Sequence, residues 1–206
     1  MIKQNLFIVF EGIEGAGKST QVKLLADYFK KNGKEVITTH EPGGTAFGKQ
    51  IREILLETKI DLEPLTEFLL FCSDRKEHVK KLIKPALEQG KIVICDRFID
   101  SLRAYQIGAN NLDKKIVEEL ITWTTDGLKP DLVIFLDLSV ESGLERRRKI
   151  YNNRFDNFGI NFYQKVRQYY LKLSQNNNHW LVLDGQKSKE EIFSEIKLEL
   201  VKKGFL

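Results

Sequence analysis

From Gly12 to Ser19 the chain reads Gly12-Ile13-Glu14-Gly15-Ala16-Gly17-Lys18-Ser19, which satisfies the spacing G-x-x-x-x-G-K-[ST]. Glycines at these positions let the backbone curl with its amides turned inward, forming a nest for phosphate oxygens at a helix N-terminus. A lysine closing such a loop reaches β- and γ-phosphates, and the hydroxyl beside it ligates Mg²⁺. The residues expected to cradle a nucleoside triphosphate are Gly12, Ile13, Glu14, Gly15, Ala16, Gly17, Lys18, Ser19 and Thr20. That leaves the destination of the phosphoryl group open.

The motif needs a buried strand before it and a helix after it. Leu6 to Phe10 (LFIVF) is a continuous apolar run of strand formers, as expected of a strand covered on both faces. Val22, Leu25, Ala26 and Phe29 then recur at helical spacing until Gly33. Further strands are predicted at EVITT, KIVICDR, DLVIFLD and WLVLDG. Helices are predicted at GKQIREILLE, from Pro64 to about Gln89, and at DKKIVEELITWTTD, SVESGLERRRK, NFYQKVRQYYLKL and SKEEIFSEIKLELVKK. Pro85 is expected to kink the long third helix or to split off its last turn. This alternation predicts an α/β fold: three layers, α/β/α, around a five-stranded parallel sheet, and the phosphate loop makes it a P-loop NTPase arrangement. One domain over residues 1–206 is expected, without internal repeat or linker.

Composition narrows the classes. With 42% hydrophobic and 30% charged residues the chain is globular, and a net charge of +4 suits small polyanions as well as nucleic acid. Cys72 and Cys95 each lie in an apolar stretch and are expected to be buried hydrophobes, not a disulfide or zinc site. The apolar run before Glu11 is too short for a signal-peptide core or a membrane span, which implies a soluble cytoplasmic protein.

Charged clusters fall where strands end: HEPGGT, CDRFIDSLRAYQ, ERRRKIYNNR and LDGQKS, with LLFCSDRKEH on the long helix. There is no guanine-reading N-K-x-D segment, which argues against a GTP switch, and no nucleophile–base constellation. Positive charge at Lys18, Arg97 and residues 146–148 fits phosphoryl transfer between two polyanions, where repulsion is the obstacle. A phosphate acceptor, with its second pKa of about 6, needs no general base.

The ordered set of phosphate loop, EPGGT, LLFCSDRKEH, DRFIDS with AYQ, and an arginine-rich segment resembles the bacterial thymidylate kinase family over nearly the whole chain. The resemblance implies ATP and dTMP as substrates, Mg²⁺ as cofactor, a homodimer built on the helical layer, and no nucleic-acid or membrane partner. It implies that Glu14 contacts the acceptor's 3′-hydroxyl, that Phe71 stacks on thymine and that Arg75 hydrogen-bonds the base. Asp96 would lie near Mg²⁺ with Ser19, and Arg97 on the acceptor phosphate. Tyr105 would lie beneath the deoxyribose, with Ser101 and Gln106 also in the dTMP site, and Arg146 would pack on adenine. Arg148 and Arg154 would be lid arginines in a segment at about 146–158. Another subclass carries its mobile arginine inside the phosphate loop, where this chain has Gly15, so the lid-arginine type is implied.

Three departures stand out. His40 replaces the family's arginine before EPGG and would supply at most a partial, pH-dependent charge. Leu102 follows Ser101 where a polar residue is usual, and Asn153-Arg154-Phe155-Asp156 replaces D-R-x-E. His78 is expected at the surface or as a helper to the long helix, and His179 in an uninvolved polar turn. Two further readings stay open: a kinase for another (deoxy)nucleoside monophosphate, and an ATP-switched nucleic-acid-binding protein, for which RRRK is the main hint.

Overall fold

A computed structural model describes residues 5–56, 62–148, 158–175 and 177–206. Five strands, β1 (Phe7–Glu11), β2 (Val36–His40), β3 (Ile92–Asp96), β4 (Leu132–Asp137) and β5 (Trp180–Asp184), form one sheet. Their order is β2-β3-β1-β4-β5, and every pairing is parallel. The expected five-stranded parallel sheet is therefore present. The helices are α1 (Lys18–Lys31), α2 (Ala46–Leu56), α3 (Pro64–His78), α4 (Lys84–Glu88), α5 (Ile99–Leu102), α6 (Lys114–Thr125), α7 (Val140–Arg148), α8 (Ile160–Ser174) and α9 (Lys189–Lys202).

Alternation along the central strands divides the core. Ile8 and Phe10 of β1 and Ile92 and Ile94 of β3 pack with Leu25 and Phe29 of α1 and Ile196 of α9. Phe7, Val9, Val93 and Cys95 point the other way, into a cluster with Phe68 and Cys72 of α3 and Ile121 of α6. Because both faces are covered, these strands read as unbroken apolar runs. Each fully buried Phe or Leu contributes roughly 1.5–3 kcal/mol. Cys72 and Cys95 are buried free thiols. Among the described residues, no helix is long and apolar enough to cross a membrane.

Two segments depart from the helical expectation. Pro85 does not end the long helix: a π-helical stretch at Val79–Ile83 joins α3 to α4, and the Lys84 amide donates to the Val79 carbonyl five residues back. Widening the turn just before Pro85 keeps the chain helical where proline cannot donate. After β3, the segment read as a charged cluster is also helical: α5 runs into a second π-helical stretch, Arg103–Ala109. The extra residue per turn breaks the 3.6-residue period, which hides a helix from pattern reading.

The chain runs from β1 out to the edge strand β2, returns to β3 beside β1, then crosses to β4 on β1's other side. This reversal of direction opens a crevice beyond the carboxyl ends of the central strands. Glu11, Asp96 and Asp137 end the three strands there. The phosphate loop leaves β1 so tightly that a Cβ on Gly12, at φ +143°, would lie 2.7 Å from the Leu136 carbonyl oxygen. Gly12→Ala is expected to lower stability by about 1–3 kcal/mol and to weaken nucleotide binding, measured by denaturant unfolding and ATP titration.

Candidate active site

The loop between β1 and α1 places the positive end of α1 at the crevice, with no acidic residue in the helix's first turn to oppose an anion. Lys18 is buried, and its Nζ donates to the carbonyls of Gly12 (3.1 Å) and Ile13 (2.9 Å). Burial, and then the neighbouring Arg97, push its pKa from 10.5 down to about 8. A bound polyanion would reverse that shift. Ser19 donates from Oγ to Asp96 Oδ2 at 2.8 Å, so the end of β3 and the start of α1 bring two hard oxygen ligands together. Among the described residues, no three His, Cys, Asp or Glu side chains converge as a metal cage. Ser19 with Asp96 suits Mg²⁺, which keeps several waters and binds through one or two protein oxygens plus phosphates.

Arg97 follows β3 in the left-handed conformation, φ +72°, its amide donating to the Phe10 carbonyl at 2.9 Å. That turn swings its guanidinium back over the crevice. Nη2 donates to Glu14 Oε1 at 2.9 Å, and Nη1 to Ser101 Oγ at 3.1 Å and Tyr170 Oη at 3.3 Å. The guanidinium carbon lies 5.4 Å from the Tyr105 ring centre, and the Tyr105 hydroxyl donates to Glu14 Oε2 at 2.8 Å. Glu14, Arg97 and Tyr105, expected around the acceptor, are thus in mutual contact.

A second group lies beneath the EPGG loop. Arg75 is fully buried; its Nε donates to Glu41 Oε2 at 2.7 Å, and Nη2 donates to the same oxygen and to the Phe98 carbonyl (2.9 Å). Its Nη1 has no hydrogen-bond partner among the described residues. Arg75 and Phe71, one helical turn apart on α3, line the same cavity as Lys18 and Arg97. His78 is not at the surface. It is fully buried, with Nδ1 2.9 Å from Glu41 Oε1 and Nε2 2.7 Å from Thr39 Oγ1. Sequence reading missed this because α3 turns four polar side chains inward, Glu67, Asp74, Arg75 and His78, which erases the amphipathic signal. Asp74 accepts from the Gly43 amide at 3.1 Å, while burial first and Glu41 second push its pKa up to about 6.

The remaining expected residues divide. Ser101 and Gln106 line the cavity, but Ser101 also donates to Glu11, and the Gln106 amide is engaged at both ends by Glu67 and Asn110. Leu102 is buried and faces the same cavity. Thr20 and Arg146 line it as well, Arg146 donating to the Gly185 carbonyl at 3.1 Å. The Arg148 side chain, and residues 149–157 with Asn153 and Arg154, lie outside the described residues. The pKa of His40 is pushed down, first by desolvation and then by Arg52, so it carries less charge than an ordinary imidazole. Arg52, which sequence reading did not select, supplies a permanent cation there; it lines the cavity and donates to the Pro42 carbonyl at 2.8 Å. One arginine on an amphipathic helix gives no pattern to find it by. Glu11 was also missed, although a glutamate closing an apolar strand was a visible signal.

The cavity measures about 1210 Å³, more than the roughly 300–1,000 Å³ of a site for one small ligand. A phosphate loop on the central strand, opening into one cavity shared by Lys18, Arg97, Phe71 and Arg75, fits a phosphate-loop nucleotide kinase. The chain belongs to the thymidylate kinase family, whose model, described as "Thymidylate kinase", matches residues 10–196. It is 47% identical to the thymidylate kinase of Halothermothrix orenii over 94% of this chain and 95% of that protein. Similarity to the thymidylate kinases of Thermosipho africanus (43% identity, covering 93% and 96%) and Trichodesmium erythraeum (40%, covering 96% and 95%) is as extensive.

The raised pKa of Asp74 makes stability depend on pH. Because its folded pKa of about 6 exceeds the usual 3.8, the folded state holds the extra proton, and stability falls as pH rises between those values. Asp74→Asn should therefore gain on wild type by on the order of 1–3 kcal/mol between pH 4 and pH 7, read by urea unfolding at each pH.

Proposed function

We propose that this chain transfers the γ-phosphoryl group of ATP to dTMP, giving dTDP and ADP. The observation that carries the reading is the convergence of Lys18, Arg97, the Ser19–Asp96 pair, Phe71 and Arg75 on one cavity. An oxygen of the dTMP phosphate attacks the γ-phosphorus, and the bond to the β–γ bridging oxygen breaks, its electron pair leaving with ADP. Near neutral pH the acceptor is largely a dianion, so no residue has to remove a proton. The protein's task is to hold two anions together against repulsion.

Residues 12–20 and Arg146 hold ATP, with Lys18 on its β- and γ-phosphates. Arg97 takes the acceptor phosphate, exchanging Glu14 for a more highly charged partner, and Glu14 with Tyr105 then meets the deoxyribose. Phe71 stacks on thymine, and Arg75, which lines the cavity beside it, hydrogen-bonds the base. Ser101 and Gln106 complete the acceptor site. Ser19 and Asp96 would hold Mg²⁺, which when bound screens the phosphate charges. Arg148 and Arg154 act from a lid at about 146–158, and lid closure excludes water. The whole works as one kinase domain in the cytoplasm. A homodimer is supported by exposed apolar side chains on α2, α3 and α6, namely Phe47, Leu69 and Trp123, the last 68% exposed.

A coupled ADP-release assay with dTMP, dUMP, dCMP and thymidine should show preference for dTMP. Lys18→Ala and Arg97→Ala should each lower kcat/KM on the order of 10³-fold. Preference for thymidine over dTMP would defeat the assignment of Arg97 to an acceptor phosphate. Trp123→Glu is expected to shift the protein from dimer to monomer in sedimentation velocity, and a wild-type monomer would remove the dimer.

A further inference from the structure

Glu11 closes β1 in the interior and is fully buried, yet it is no part of the phosphate loop. Its Oε1 accepts the backbone amides of Phe98 (2.9 Å) and Ser101 (3.1 Å), fixing the turn that carries Arg97. Its Oε2 accepts two hydroxyls, Ser101 Oγ at 2.6 Å and Tyr170 Oη at 2.9 Å. Those same two hydroxyl oxygens accept Nη1 of Arg97. Each hydroxyl has a single proton. With both protons directed to the carboxylate, both oxygens turn lone pairs toward the guanidinium. A neutral side chain at position 11 would not impose that direction.

Tyr170 comes from α8, far along the chain, and its ring stacks on Phe135 of β4 with centres 5.1 Å apart. Ring packing and hydroxyl are therefore separable by substitution. We infer that Glu11 and Tyr170 are positioning residues that, with Ser101, hold the Nη1 edge of Arg97 and so aim its Nη2 edge at the acceptor's phosphate. This rests on the assignment of Arg97 to that phosphate. It explains why a carboxylate is kept dry beside two cations: it orients hydroxyls, and the hydroxyls orient the arginine.

Equilibrium binding of dTMP and of thymidine, with melting temperature measured alongside, tests the inference at pH 8. Burial pushes Glu11 up to about 7, so it is ionised there. Tyr170→Phe and Glu11→Gln should each weaken dTMP by about tenfold, the scale of one hydrogen bond to a charged group, and leave thymidine within about twofold. In an Arg97→Ala background Tyr170→Phe should have no further effect. Equal losses for both ligands, or the full Tyr170→Phe effect persisting without Arg97, would overturn the inference and leave Tyr170 a packing residue. Arg97→Ala alone must weaken dTMP more than thymidine; failure there removes the phosphate clamp itself. If Arg97→Ala discriminates and Tyr170→Phe does not, only the present inference falls. Should Glu11→Gln fail to fold, Tyr170→Phe decides the matter, since it keeps the ring.

Discussion

Cations held out of water govern this molecule. A site that must draw two polyanions together needs fixed positive charge in a low-dielectric crevice, and each buried cation is costly unless something negative lies against it. Arg75 meets this by directing two donors to one oxygen of Glu41, and Arg97 with Glu14 and a ring of hydroxyls. Lys18 is different. Its hydrogen bonds go to two carbonyls of its own loop, and its affinity for a proton has fallen to match. Arg75 is therefore settled in the resting protein, whereas Lys18 gains most when an anion arrives.

The carboxylates that compensate these cations come from strand ends and from the loops after them. Glu11 closes β1, Glu41 follows β2 and Asp96 closes β3. Parallel strands all end on one edge of the sheet, so three carboxylates from distant parts of the sequence reach that edge without any long excursion. The same edge carries the amides of the phosphate loop, so fixed dipoles and fixed charges lie within one crevice.

Much of this was legible beforehand. Buried strands announce themselves as apolar runs, and the phosphate loop is defined by local backbone needs, so the sheet and the loop could be read directly from local sequence. Phe71 and Arg75 were recognisable as a pair because one helical turn puts them on one face. What stayed hidden depends on partners remote in sequence. His78 looks like a surface residue until Thr39 and Glu41 are folded around it. Arg52 is one arginine among many, and the helix after β3 is masked by its π-helical turn. Tyr170 matters only through a carboxylate on the first strand. Long-range polar packing leaves no periodic trace.

Gly15 meets α7 at a seam made by two glycines: a Cβ on Gly15 would lie 2.4 Å from the Gly143 carbonyl oxygen, and one on Gly143 would lie 2.8 Å from the Glu14 carbonyl oxygen. A bulky cationic side chain at position 15 cannot be accommodated without parting that helix from the loop. Whether a cation can stand at this point of the phosphate loop is thus a steric matter, decided by how closely two backbones touch. Placing one at position 15 would require rebuilding both sides of the seam at once.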